Sequence, residues 1–141
     1  MIFVNLPVKD LDASMRFFGA LGFTFNPNFT DETAACMVIE ENIFAMLLTE
    51  EKFRGFINGE ISDATKATEV LTCLSCDSRG QVDDTLAKAL AAGGKAWKPV
   101  SDYGFMYAAS FQDPDGHVWE LVWMDPAAAE QAPEDRVAEP A

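Results

Sequence analysis

Residues 3–23 read FVNLPVKDLDASMRFFGALGF, and this stretch decides the architecture. Ile2, Val4, Leu6 and Val8 alternate with Phe3, Asn5 and Pro7, the pattern of a strand with one strongly apolar side. Asp10 follows as a helix N-cap, and Leu11, Met15, Phe18 and Leu21 recur at helical spacing until Gly22 stops the run. Three strand-like runs come next: 23–26, 34–40 and 42–49. Residues 50–67 are polar and turn-rich, with Asn58-Gly59 inside them, and read as a connector holding a short helical turn near 52–56.

The same order then begins again. A strand is expected over 70–76, then a capping box of Ser78 and Gln81. Val82, Leu86, Ala89 and Leu90 form the buried stripe of a second helix, which stops at Gly93-Gly94. Strands over 95–100, 105–112 and 117–124 complete the half, the last two joined by the turn Asp113-Pro114-Asp115-Gly116. This doubled order predicts an α+β fold of two βαβββ modules, residues 1–49 and 68–125. The Ala-, Pro- and acid-rich tail, 126–141, lacks packing residues and reads as disordered.

Composition bounds the function. The chain has 141 residues, 49% of them hydrophobic, with 11 Phe, enough for one domain with a real core. No run approaches the roughly 18 to 20 apolar residues of a membrane span, and the N-terminus has no signal-peptide pattern, so a cytoplasmic location is expected. A net charge of −13 repels phosphate backbones and anionic lipid, which argues against nucleic-acid and membrane partners and is compatible with a cationic ligand. Cys36, Cys73 and Cys76 are an odd number and read as thiols.

Two motifs at opposite ends of the repeat, residues 3–23 and FQDPDGHVWELVW at 111–123, resemble the opening and closing elements of the glyoxalase/bleomycin-resistance/extradiol dioxygenase (vicinal oxygen chelate) superfamily. The resemblance covers about residues 2–124. It implies that the two modules form a curved mixed sheet enclosing a ligand pocket, and, in metal-dependent relatives, four ligand positions that fall here on Phe3, Leu47, Leu71 and Glu120. Leu47 is placed to within a residue. Only Glu120 can hold a metal, and His117 is the one histidine, so neither a glyoxalase-type ion site nor a two-histidine iron site can be assembled. No metal and no cofactor are therefore expected.

Glu120 is the candidate anchor or base, since a carboxylate in an apolar pocket can pair with a cation or act on a proton. Phe3, Asn5, Leu47, Leu71, Cys73 and Tyr107 are expected to line the pocket with it. Cys73 and Cys76 lie three apart on a strand, which sends them to opposite faces and disfavours a shared ion or short disulfide. Metal-independent binding of a small organic molecule, with a cation among the candidates, is the leading expectation. The alternative is a lactoylglutathione-lyase-related isomerase or lyase with an atypical site. A homodimer is expected, because the modules leave strand edges open and the chain is rich in aromatics.

Overall fold

The computed structural model describes residues 1–129, which pack as two compact units. The first contains residues 1–67 together with Pro114–Gly116; the second contains Thr68–Asp113 and the chain from His117 onward. Each carries its own mixed sheet, one of four strands and one of five, in the expected α+β arrangement.

In the first unit, β1 (Ile2–Val8) leads into α1 (Leu11–Ala20), then β2 (Thr24–Phe25), β3 (Ala34–Glu40), β4 (Ile43–Thr49) and α2 (Glu50–Arg54). The sheet order is β1-β4-β3-β2, with β1 parallel to β4 and the other pairs antiparallel. Asp10 caps α1 as its sequence position predicts, accepting from the Ala13 N–H at 3.0 Å. The helix packs on β3 and β4. Leu11, Phe17 and Phe18 are buried, as are Leu6, Val8, Ala45, Leu47 and Met37, and these form the unit's core.

The turn tripeptide Pro114–Gly116 is held in this unit by its own contacts. The Asp115 carboxylate accepts the Lys9 N–H at 2.8 Å and the buried Ser14 hydroxyl at 3.4 Å, close to the start of α1. Gly116 has φ +86°, and a Cβ there would lie 3.0 Å from both the backbone N and Cα of Thr65. Only glycine permits that backbone shape and that approach.

In the second unit, β5 (Leu71–Ser75) precedes α3 (Arg79–Ala91), β6 (Lys95–Ala96), β7 (Ser101–Asp102), β8 (Met106–Gln112), β9 (Val118–Met124) and the short α4 (Pro126–Ala129). The order is β5-β9-β8-β6, with β7 also on β8. The strand expected over 95–100 is thus split: after the Trp97 N–H donates to the Ser110 carbonyl at 3.3 Å, residues 98–100 leave the ladder, and the chain rejoins β8 at Ser101. Ser78 caps α3 through the Gln81 N–H, but the Gln81 side chain accepts from Asp77 rather than from Ser78. Trp119, Phe111, Leu121, Val82 and Ala89 make the core. Of the tail expected to be disordered, Pro126–Ala129 is helical with Ala128 buried, and residues 130–141 lie outside the described residues.

Candidate functional site

Strand pairing decides which side chains share a face, because neighbours in register point the same way. In the second unit Cys73 pairs with Glu120, and Glu120 pairs with Ser110, so these three form one row across β5, β9 and β8. The rows on either side place Leu71 beside Val118, and Val122 beside Ala108. Leu71, Cys73 and Glu120, three of the expected site residues, are therefore brought to one face.

The opposite face belongs to α3. Asp83 of that helix accepts the Tyr107 hydroxyl at 2.7 Å, and the Arg79 guanidinium lies over the rings of Tyr107 and Trp123 at 5.0 and 5.2 Å. Tyr107 pairs with Trp123 and is on the helix side, so the structure does not bring it to the face of Glu120 with which the sequence grouped it. Its hydroxyl is held protonated to higher pH, first by the bond to Asp83 and then by burial.

Glu120 is half-buried and makes no hydrogen bond or ion pair with another described residue. Its charge is felt by its neighbour: the Cys73 thiol is pushed up by partial burial first, then by the Glu120 carboxylate and by Cys76. Ser110 is buried, and its hydroxyl oxygen accepts the Lys98 N–H at 3.2 Å. The face thus presents a carboxylate, with no hydrogen-bond partner among the described residues, between a thiol and a hydroxyl; Leu71, Val118, Val122 and Ala108 lie in the neighbouring rows, and the Trp97 N–H donates to the Ser110 carbonyl at 3.3 Å at the row's far end.

In the first unit Phe3 and Asn5 of β1 share a face with Phe44 and Met46 of β4. Phe3 stacks on Phe44, ring centroids 5.0 Å apart and planes 16° apart, yet Phe3 remains 49% exposed. Leu47 is one position out of phase. It pairs with Leu6 and Ala35 and is fully buried in the α1-covered core, so the residue on the Asn5 side is Met46.

Among the described residues no three His, Cys, Asp or Glu side chains gather where they could hold a metal ion. A resident divalent ion of the kind metal-dependent relatives use does not fit the donor set either. Phe3 and Leu71 offer no ligand atom, and neither Leu47 nor its neighbour Met46 supplies a hard one. Cys36, Cys73 and Cys76 are free thiols.

Sequence reading missed three polar groups. Asp113 is buried, accepting the Trp119 indole N–H at 3.0 Å and the His117 backbone N–H at 3.1 Å, so it orients the largest core residue. Asp115 serves α1 as described. Arg79 forks onto Asp102 at 2.7 and 3.0 Å and donates to the Gly104 carbonyl, clasping the β7–β8 hairpin to the start of α3. The acidic DPDG turn advertised the two aspartates; nothing local marked Arg79.

Comparison with known proteins agrees with this geometry. Residues 1–40 match the family model described as bleomycin resistance protein-like N-terminal. A search of curated proteins returned no significant match. Among solved structures, a hypothetical protein, SA1046, from S. aureus is 26% identical, with TM-score 0.75, covering 87% of this chain and 92% of that one. A glyoxalase/bleomycin resistance protein/dioxygenase family enzyme from Burkholderia phytofirmans PsJN is 19% identical, with TM-score 0.73 and coverages of 86% and 96%. The fosfomycin resistance protein FosX from Mesorhizobium loti is 13% identical, with TM-score 0.67 and coverages of 93% and 97%. The chain thus shares its α+β fold with these solved structures, and its first 40 residues are similar to the bleomycin resistance protein-like N-terminal family.

Proposed function

We infer that this chain binds a small organic molecule, without a metal and without covalent chemistry, on the Glu120 face of its second module. One observation carries the reading: the Glu120 carboxylate stands unpartnered among residues that cannot complete a metal shell. A half-buried carboxylate with no internal counter-charge is stabilised most by a ligand that brings one. Leu71 and Cys73 flank it, and Phe3 and Asn5 hold the corresponding places in the first module. Likeness to a fosfomycin resistance protein and to a bleomycin resistance protein-like model supports a role in handling small molecules.

The lyase reading is weaker on the same residues. Glyoxalase-type isomerisation needs an electrophile to stabilise an enediolate as well as a base. Glu120 can serve as a base, but it forms no ion pair with a cation among the described residues that could act as the electrophile. The open edge of β1, with Ile2 and Phe3 exposed at its start, supports a homodimer, and the chain's working place is proposed to be the cytoplasm.

Elemental analysis of purified protein with a thermal-shift screen of aromatic and cationic molecules tests the proposal. Stabilisation by an organic ligand, with no metal at stoichiometric level, is the expected result. One equivalent of Zn, Ni, Fe or Mn that is lost on Glu120→Gln would overturn it. For the dimer, sedimentation should give twice the chain mass at micromolar concentration, and a monomer there would refute it.

A further inference from the structure

The Asn58-Gly59 turn of the connector serves neither the core nor the Glu120 face, and it carries a chemistry of its own. The side-chain amide of asparagine is an electrophile at Cγ, and the backbone nitrogen of the next residue can close a five-membered ring on it. A side chain on that next residue obstructs the approach; glycine has none and rotates freely into it. The reaction thus needs a glycine after the asparagine, an amide that nothing restrains, and a backbone with room to turn.

Of the five asparagines only Asn58 meets all three conditions. Asn5 lies within β1 and precedes Leu6, and Asn26 precedes Pro27, which has no N–H. Asn28 and Asn42 precede Phe29 and Ile43, whose side chains hinder the ring. Around Asn58 the chain is anchored on either side but not at the turn itself. The Ile57 N–H donates to the Arg54 carbonyl at 3.4 Å, and the Asp63 carboxylate accepts the Thr65 N–H at 2.9 Å. Between these anchors, residues 58–62 make no hydrogen bond with any described residue. Asn58 and Gly59 are both exposed, and Gly59, at φ +108°, has open space where a Cβ would stand.

The chain's other pair of this kind, Asp115-Gly116, supplies the contrast. Both of its carboxylate oxygens are engaged, by the Lys9 N–H at 2.8 Å and the Ser14 hydroxyl at 3.4 Å, and Gly116 lies against Thr65. The fold locks one pair and leaves the other open.

We propose that Asn58 is a self-modification site, converting in the folded protein through a succinimide to aspartate and isoaspartate at position 58. The Gly59 nitrogen bonds to Cγ, the Cγ–Nδ2 bond breaks, and the Gly59 proton leaves with Nδ2 as ammonia. Water then opens the ring. Cleavage at Cγ restores the ordinary main chain and leaves an aspartate; cleavage at the main-chain carbonyl carbon of Asn58 routes the chain through Cβ and Cγ as isoaspartate. No electrons are gained or lost. Either product puts a new negative charge beside Glu60, and isoaspartate lengthens the connector's main chain by one atom.

The test holds the full chain at mildly alkaline pH, folded and in guanidinium chloride, with peptide mass mapping at intervals. The peptide spanning 58–59 should gain about 1 Da and separate into two species, aspartate and isoaspartate. Its ratio of folded to unfolded rate should exceed that of isomerisation at Asp115-Gly116 by at least about tenfold, because an unrestrained turn opens at almost no free energy and a bonded one does not. Asn58→Gln, whose longer side chain must close a six-membered ring, should remove the change. A smaller difference between the two ratios would overturn the proposal. So would a folded chain whose first mass gain falls on another asparagine, or one whose gain in this peptide survives Asn58→Gln.

Discussion

Replacing Gly116 with Ala separates two costs that are usually confounded. At φ +86° any L-residue is strained by about 1 to 2 kcal/mol. The stiffer unfolded chain returns about 0.4 to 1 kcal/mol of this. Gly22, in the same unit at φ +104°, carries the same two terms, and a Cβ there meets nothing within 4 Å. At Gly116 the new Cβ lies 3.0 Å from the N, Cα and Cγ2 of Thr65. Carbon atoms rest about 3.5 to 4.0 Å apart, so the Thr65 backbone must give by a few tenths of an ångström. Overpacking of that kind costs about 1 to 3 kcal/mol. Gly116→Ala should therefore be less stable than Gly22→Ala by about 1 to 3 kcal/mol. At roughly 4 °C per kcal/mol for a chain of this size, that is about 4 to 12 °C in melting temperature. Urea unfolding followed by tryptophan fluorescence gives the comparison directly. Adding Thr65→Ala removes Cγ2 but neither backbone atom, so it should rescue only a minor part of the loss. Equal destabilisation by the two glycine changes would refute the close approach of the connector to the turn.

Trp119→Ala should cost about 3 to 5 kcal/mol, because a fully buried indole and its bond to Asp113 are both lost, whereas Glu120→Gln should leave denaturant stability unchanged or raised. Equal losses in the two variants would make Glu120 a structural group. In a Cys76→Ser background, Glu120→Gln should shift the pH profile of Cys73 alkylation to lower pH, since the neighbouring negative charge that holds the thiol up is gone; an unmoved profile would refute their contact. The Asp102 carboxyl is lowered to about 2, by the Arg79 bond first and the Gly104 N–H second. Because its folded value lies below the ordinary 3.8, the clasp's contribution is full above that pH and is lost as pH falls toward 2. The melting-temperature gap between wild type and Asp102→Asn should accordingly be flat near neutrality and close on acidification, and a gap that widens in acid would contradict the assignment.

The elements were legible where the residues carried period or punctuation. β1 alternates, α1 has its Asp10 cap, and the Pro-Asp-Gly turn announces the last hairpin; all three lie where the sequence puts them. The face of Glu120 was legible on β9, because Trp119, Leu121 and Trp123 so clearly claim one face that Glu120 must take the other. On β4 the run Ile43-Phe44-Ala45-Met46-Leu47-Leu48 is apolar at every position, so parity is absent and nothing local separates Leu47 from Met46 as the residue on the Asn5 face. β8 presents Tyr107 between Met106 and Ala108, again without a polar–apolar contrast, and only pairing with Trp123 fixes its side. The Arg79–Asp102 clasp joins residues 23 apart, a spacing with no local signature.

The allegiance of Pro114–Gly116 to the first unit, while the residues on both sides belong to the second, bears on how such a gene could have grown by duplication. A first half cut at the connector, residues 1–67, would leave the Lys9 amide and the buried Ser14 hydroxyl without the carboxylate they share, and Thr65 without the glycine it lies against. Recombination that swaps second halves between relatives would import a foreign tripeptide into the first. The stretch that must co-evolve with α1 and the connector is therefore three residues lying about a hundred positions downstream of α1. A hybrid assembled from two such proteins should tolerate its junction best when those three residues are inherited with the amino-terminal parent.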